Sequence, residues 1–207
     1  MVGHFNHNEQ SLRMVEVLEK HGDHQGLNLT TAVRDGIVGH TGAHIPVTLE
    51  GQIIRIVDRI AYLCHDFDDA QRAGMLTAEE LPFEVREHFG MTPSSMITAM
   101  VEDMVRESLE KPVISMSSDV EMTMNLFRQF MFKNVYLAPA LIPDRKKASH
   151  VVKNLFTHFM EYPDDMEGCE TGKEFYSTLD VVDYVAGLTD QYAIKLFKQY
   201  YIPNITL

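Results

Sequence analysis

The sequence predicts an all-α fold, and two features of its 207 residues support that prediction. Apolar residues recur at three- and four-residue steps through most of the chain, whereas the strict alternation that is typical of half-buried strands is scarce. Residues that commonly cap helices also stand immediately before several of these apolar stretches. Because 45% of the residues are apolar, the chain can fill a hydrophobic core. We therefore expect one helical domain with at most a small satellite.

Capping residues divide the chain into its predicted elements. Thr30 precedes a short helix, and Thr48 opens the longest helix of the N-terminal half. Ser118 stands three residues before Glu121, which is the spacing of a capping box at the start of another helix. Near the C-terminus, the apolar pattern predicts one continuous helix that passes through Gly187.

The balance of charged residues narrows the classes of partner. The formal net charge of −12 repels polyanions, so nucleic acid is not an expected partner. No run of 18 or more apolar residues occurs, and the first residues lack the layout of a secretory signal, so we expect no membrane association and a cytoplasmic location. The two cysteines, Cys64 and Cys169, give neither a disulfide framework nor a zinc-ribbon spacing.

The helix predicted over residues 49–73 carries two stripes of the same period. The apolar stripe consists of Leu49, Ile53, Ile56, Ile60, Leu63 and Phe67. The polar stripe consists of Arg55, Asp58, Arg59, Tyr62, His65, Asp66 and Asp69. The apolar stripe predicts a buried face. Periodicity alone leaves two interpretations of the polar stripe open: a solvated face with intrahelical ion pairs, or a row of ligand-binding groups.

The residue types of the polar stripe suit a metal-bound nucleotide. Asp58 offers a hard oxygen ligand for Mg²⁺ or Mn²⁺. Arg59 is a fixed cation of the kind that binds polyphosphate, and Tyr62, one turn further, can donate to a phosphate oxygen. Asp66, another turn on, can accept a hydrogen bond from a sugar hydroxyl. The stripe could therefore follow a nucleotide from its phosphates to its sugar.

The same helix carries a family resemblance. Its residues 49–70, LEGQIIRIVDRIAYLCHDFDDA, closely resemble a segment of bacterial dGTPase-like deoxynucleoside triphosphate (dNTP) triphosphohydrolases of the HD superfamily. Residues 5–13 (FNHNEQSLR) and 183–193 (DYVAGLTDQYA) resemble the same family in the same order. Residues 26–30 and 130–132 also fit. The resemblance therefore extends over nearly the whole chain.

The resemblance implies a fold and an assembly. It predicts a partial HD-domain-like helical bundle over residues 1–75, and a C-terminal helical extension over residues 76–207. Members of the family commonly form hexamers, so a homo-oligomer is expected. In the complete family pattern a metal-binding His and a His-Asp pair precede the segment that begins at Phe5, so the divalent-metal site is expected to be incomplete in this chain. We expect a shortened form of a full enzyme, with a natural short protein as the alternative. His40 and His65 are expected to be structural.

The resemblance also implies a role for each candidate site residue. Members of the family use a divalent metal to hydrolyse a dNTP to the deoxynucleoside and inorganic triphosphate. Asp58 matches a metal ligand, whereas Arg59 and Tyr62 match contacts to the triphosphate. Asp66 matches a residue that binds the 3′-hydroxyl of the sugar, and His7 matches an active-site histidine near the α-phosphate. The alternative function is a noncatalytic helical module that binds nucleotide, or a partner protomer, through the same stripe.

Overall fold

The computed structural model describes residues 4–167 and 176–203, and most of these residues are helical. The α-helices are α1 (His7–Arg13), α2 (Thr31–Gly39), α3 (Leu49–Arg72), α4 (Phe83–Phe89), α5 (Pro93–Ser108), α6 (Ser118–Met131), α7 (Ile142–Glu161), α8 (Thr178–Gly187) and α9 (Asp190–Tyr201). The shorter elements are π-helical segments at Met14–Leu18 and Phe132–Tyr136, 3₁₀ turns at Ala78–Glu80, Pro139–Leu141 and Pro163–Asp165, and an antiparallel pair of strands, β1 (Lys20–His21) and β2 (His24–Gln25). The prediction of an all-α fold is confirmed.

Two of the predicted helix starts coincide with capping hydrogen bonds. The Thr30 hydroxyl accepts a hydrogen bond from the backbone N–H of Val33 at 3.3 Å, and α2 begins at the next residue. The Thr48 hydroxyl accepts one from the N–H of Gly51 at 3.2 Å, and α3 begins in the same way. Each hydroxyl satisfies one of the N–H groups that a helix leaves without an internal partner.

Two details of the helix prediction are wrong. Ser118 is the first residue of α6, and the cap is Ser117, whose hydroxyl accepts from the N–H of Val120 at 3.4 Å. The helix predicted to pass through Gly187 is two helices, because α8 ends at that residue and Thr189 caps α9. Glycine in a helix interior costs about 1 kcal/mol relative to alanine, so the end of a helix is a less destabilising position for Gly187.

The chain divides into two compact units, each described here by itself. The larger unit spans residues 6–139 and contains α1 to α6, whereas the smaller unit comprises residues 140–207 with residues 1–5. The boundary predicted from the family resemblance lies elsewhere, between residues 75 and 76. That boundary separates the expected catalytic core from its C-terminal extension, and it stays a prediction. Within the described ranges, no helix has both the length and the apolar character needed to cross a bilayer.

The core of the larger unit forms where α3 packs against α5 and α6. Ile60, Leu63 and Phe67 of the predicted apolar stripe are buried. Leu49 and Ile53, at the start of the same stripe, are 39% and 36% exposed, so the prediction that they are buried is wrong. The reason is that the buried residues of α5 and α6 pack against the later turns of α3.

The smaller unit has its own core between α7, α8 and α9. Its buried apolar residues are Leu155, Phe159, Met166, Val181 and Leu196. An aromatic group packs beside this core, in which the His158 ring stacks on the Tyr200 ring with 3.9 Å between the ring centroids. Of the two cysteines, Cys64 is buried in the larger unit, whereas Cys169 lies outside the described residues.

Candidate functional site

A cavity of about 290 Å³ opens at the polar face of α3. Its lining residues come from the loop after α2, from α3 and from α6, and they are His40, Thr41, Gly42, Arg55, Asp58, Arg59, Tyr62, Asn125 and Arg128. Three of the five predicted site residues, Asp58, Arg59 and Tyr62, therefore line the same cavity. Guanidinium groups remain charged at all ordinary pH values. The lining thus contains three fixed positive charges and one carboxylate, in a chain whose net charge is −12.

The charged residues in the middle of the polar stripe are not paired with each other. Among the residues that the structure describes, neither Asp58 nor Arg59 has an ion-pair or side-chain hydrogen-bond partner. Intrahelical ion pairs form only near the C-terminal end of the stripe, where Arg72 lies 2.7 Å from Asp68 and 2.9 Å from Asp69. The interpretation as a solvated, ion-paired face therefore fits the end of α3, whereas the charged groups in its middle are available to a ligand.

Arg55 holds the loop that forms one wall of the cavity. Its guanidinium donates to the backbone carbonyls of Gly39 at 2.8 Å, Gly42 at 2.5 Å and His44 at 3.0 Å. The loop packs tightly there, since a Cβ atom added at Gly39 would lie 2.8 Å from Cγ of Pro46. Because the donors of Arg55 are engaged with the loop, its main contribution is to position the cavity wall.

Asp66 is not among the residues that line the cavity. Its carboxylate accepts a hydrogen bond from the Tyr136 hydroxyl at 2.5 Å. Burial, together with this bond and the charge of Asp66, raises the pKa of Tyr136, so the phenol remains a donor. Among the described residues, no hydrogen bond occupies the other carboxylate oxygen of Asp66.

His7 reaches the edge of the cavity through His40. The Nε2 atoms of the two histidines are 3.1 Å apart, and the rings meet edge to face with 5.1 Å between their centroids. His40 lines the cavity, whereas His7 is an exposed residue beside it. His65, which was also expected to be structural, is exposed on α3. Of His40 and His65, His40 lines the cavity, and the structural role expected for both stays a prediction.

The chain is similar to known proteins along nearly its whole length. The deoxyguanosinetriphosphate triphosphohydrolase-like protein of Caldanaerobacter subterraneus subsp. tengcongensis is 40% identical over 209 residues, which cover 98% of this chain and 60% of that protein. The proteins of the same name from Clostridium perfringens and Brucella suis are 37% and 30% identical, over 99% and 93% of this chain and 63% and 65% of their own lengths. Over nearly its whole length, the chain is therefore similar to proteins named deoxyguanosinetriphosphate triphosphohydrolase-like.

A second comparison agrees with this similarity. The phosphohydrolase-associated domain family matches residues 114–199, which include α6, α7, α8 and most of α9. The predicted family resemblance is therefore confirmed. The chain spans less than two thirds of the length of the relatives described above.

The residues that α6 brings to the site were missed by the sequence analysis. Arg128 lines the cavity, and its guanidinium carbon lies 4.8 Å from the centroid of the Phe132 ring. With Tyr136, these residues form a row at steps of four along α6 and its π-helical extension, opposite the polar stripe of α3. The row is visible in the sequence, but nothing local indicates that it lies opposite α3. Asn125, one turn before Arg128, was missed for the same reason.

The side chains at the cavity offer a divalent cation one carboxylate, that of Asp58. Mg²⁺ requires octahedral coordination, and a catalytic ion needs several fixed ligands around an open position. In the part of the chain that the structure describes, no group of three or more His, Cys, Asp and Glu residues is placed to hold a metal ion. The described residues alone do not form a complete metal site, so the metal-binding role of Asp58 stays a proposal.

Proposed function

We propose that the chain supplies the triphosphate-binding part of a dNTP triphosphohydrolase, which cleaves a substrate such as dGTP to the deoxynucleoside and inorganic triphosphate. The observation that carries the proposal is that Asp58, Arg59 and Tyr62 line one cavity with Arg128. The names of the relatives support dGTP as the substrate to test first. The proposal includes binding of Mg²⁺ or Mn²⁺, with Asp58 as one of the metal ligands. It also includes assembly into a homo-oligomer such as a hexamer.

The cavity suits a triphosphate in size and charge. Pockets for whole small-molecule ligands have volumes of roughly 300–1,000 Å³, and this cavity, at about 290 Å³, suits the phosphate end of a nucleotide. Arg59 and Arg128 can each make two parallel hydrogen bonds to phosphate oxygens. The Tyr62 hydroxyl and the Asn125 amide add neutral donors. Two guanidinium groups that form no ion pair in the described part of the chain would thus meet the charge of the triphosphate.

The same groups would hold the triphosphate while the bond to the sugar breaks. In the proposed reaction, the oxygen of water forms a bond to the α-phosphorus, and the bond from that phosphorus to the 5′-oxygen of the sugar breaks. The deoxynucleoside leaves through its 5′-oxygen, which takes up the proton that the water loses, and the three phosphates stay together as triphosphate. Arg59 and Arg128 would hold the charge that develops on the triphosphate, because fixed cations stabilise developing charge without reorganising. His7 would carry a proton near the α-phosphate, and Asp66, held by Tyr136, would bind the 3′-hydroxyl.

The experiment measures deoxyguanosine and inorganic triphosphate released from dGTP in the presence of Mn²⁺. It uses the 207-residue chain and a form extended upstream to the length of the relatives. Arg59→Gln and Arg128→Gln are each expected to lower kcat/KM by about 10- to 100-fold, since hydrogen bonds to charged groups contribute about 1.5–3 kcal/mol and 1.4 kcal/mol is a factor of ten. Arg72→Gln, on the same helix and away from the cavity, is the matched control.

The possible outcomes separate the two candidate functions. Release of deoxyguanosine and triphosphate in equal amounts, lost in the cavity variants and kept in the control, supports the proposal. Binding of dGTP without triphosphate release by either form supports a noncatalytic nucleotide-binding module. If dGTP binds neither form, or if the cavity variants behave as the control does, the proposal is wrong.

A further inference from the structure

His7 and His40 form a pair whose hydrogen bonds determine where each proton lies. The Nε2 atoms are 3.1 Å apart, so one nitrogen donates to the other. The Nδ1 atom of His40 lies 2.6 Å from the backbone carbonyl of Ile37. A carbonyl only accepts, so Nδ1 of His40 carries a hydrogen. In neutral His40 the Nε2 atom is then bare, and it accepts the Nε2–H of His7.

The backbone around His40 is held from several sides. The Asn8 side chain of α1 donates to the carbonyl of Val38 at 2.7 Å, which joins α1 to the end of α2. Arg55 donates to the carbonyls on both sides of His40 in sequence, those of Gly39 and Gly42. Because the main chain on each side of His40 is held in this way, its ring presents Nε2 to His7 from a supported position.

We propose that His40 is a positioning residue that fixes His7 in the tautomer with hydrogen on Nε2 and a bare Nδ1. The inference deepens the proposed function, since it concerns the histidine assigned there to proton transfer near the α-phosphate. Within the described residues, the Nδ1 atom of His7 has no hydrogen-bond partner, so the lone pair on that nitrogen is available. His40 thus selects which nitrogen of His7 can accept a proton.

The pair can also take up one proton without breaking its hydrogen bond. A proton that binds to Nδ1 of His7 makes that ring cationic, and the Nε2 proton of His7 can then move to Nε2 of His40. The result is a cationic His40 and a neutral His7 with its hydrogen on Nδ1, so one proton enters and one positive charge results. The Nε2–H of His40 now donates to Nε2 of His7. A second proton would place two N–H groups face to face and would break the pair.

The experiment reads the tautomer directly by ¹⁵N NMR of the full chain labelled at histidine, at a pH where the imidazoles are neutral. It needs neither substrate nor metal. In the wild type, the Nδ1 resonance of His7 is expected at the position of a bare nitrogen and its Nε2 resonance at that of a protonated one. In His40→Phe, which keeps a ring but loses both nitrogens, both resonances are expected to move towards the average of the two tautomers.

A second variant separates positioning from folding. His40→Asn keeps an amide N–H in place of Nδ1, so its bond to the Ile37 carbonyl can persist, but it lacks the acceptor for His7. The same loss of a single tautomer is expected, with an unchanged melting temperature. His65→Asn, at an exposed position of α3, is the control and should leave His7 as in the wild type.

The results are independent of the test for triphosphate release. A wild-type His7 that already has its hydrogen on Nδ1, or that shows both tautomers, overturns the inference. So do unchanged His7 resonances in both His40 variants. If the tautomer behaves as expected but no form of the protein releases triphosphate, the proposed function is wrong and the positioning by His40 still stands.

Discussion

Replacing Arg55 with methionine should loosen the loop over residues 39–46 while leaving α3 in place. The guanidinium donates to three backbone carbonyls, and a hydrogen bond to a charged group contributes about 1.5–3 kcal/mol. Gly39 is buried, so its carbonyl would lose its partner, whereas the exposed residues Gly42 and His44 can exchange theirs for water. We therefore expect the free energy of unfolding of the larger unit to fall by about 2–3 kcal/mol.

Urea unfolding measures the loss, and hydrogen exchange of the 39–46 backbone amides locates it. Arg72→Met is the matched control, because Arg72 makes only surface ion pairs on the same helix, and such pairs contribute about 0–1 kcal/mol. The reasoning is refuted if Arg55→Met unfolds at the same urea concentration as Arg72→Met. It is also refuted if amide exchange in the loop is as slow as in the wild type.

Two further predictions concern residues away from the charged cavity lining. Burial alone would raise the pKa of Asp103, but hydrogen bonds from Ser117 and Arg106 outweigh burial and hold it below its ordinary value of 3.8. The ionised carboxylate therefore stabilises the fold above pH 3.8, and this stabilisation is lost as the pH falls below that value through the folded-state pKa. Asp103→Asn should therefore flatten the acid side of a curve of unfolding free energy against pH. An unchanged curve would contradict this prediction. Gly51→Ala would place a Cβ atom 2.5 Å from Cβ of Pro46, so we expect the free energy of unfolding, measured in urea, to fall by about 1–3 kcal/mol. A variant as stable as the wild type would show that the loop can shift freely.

The parts of the site that lie on one helix could be predicted, because helical geometry alone determines them. Residues at steps of three and four share a face whatever packs against it, so Asp58 and Tyr62 had to lie on the same side of α3. Capping is local in the same way, and Thr48 is found at the start of α3 as the sequence indicated. These predictions needed no knowledge of the neighbouring helices.

The remaining parts depend on which surfaces meet, and no local pattern contains that information. Arg128 enters the cavity only because α6 lies opposite α3, and the two residues that meet in the Tyr136 to Asp66 hydrogen bond are 70 positions apart. The same limit explains the error at Leu49 and Ile53. An apolar stripe gives the direction of a face, but the extent of its burial depends on the helices that cover it.

The three arginines of the cavity illustrate why a count of charges does not measure affinity for phosphate. Arg55 already donates to three carbonyls, so a ligand that recruited it would have to release the loop. Among the described residues, Arg59 has no ion-pair or hydrogen-bond partner and Arg128 contacts only the face of the Phe132 ring, so both can bind phosphate without breaking a hydrogen bond described for the fold. Loss of Arg55 should therefore weaken triphosphate binding through a displaced wall, and the stability of the larger unit should fall with it. Loss of Arg59 should weaken binding with stability unchanged, because its guanidinium forms no ion pair or hydrogen bond within residues 4–167 and 176–203.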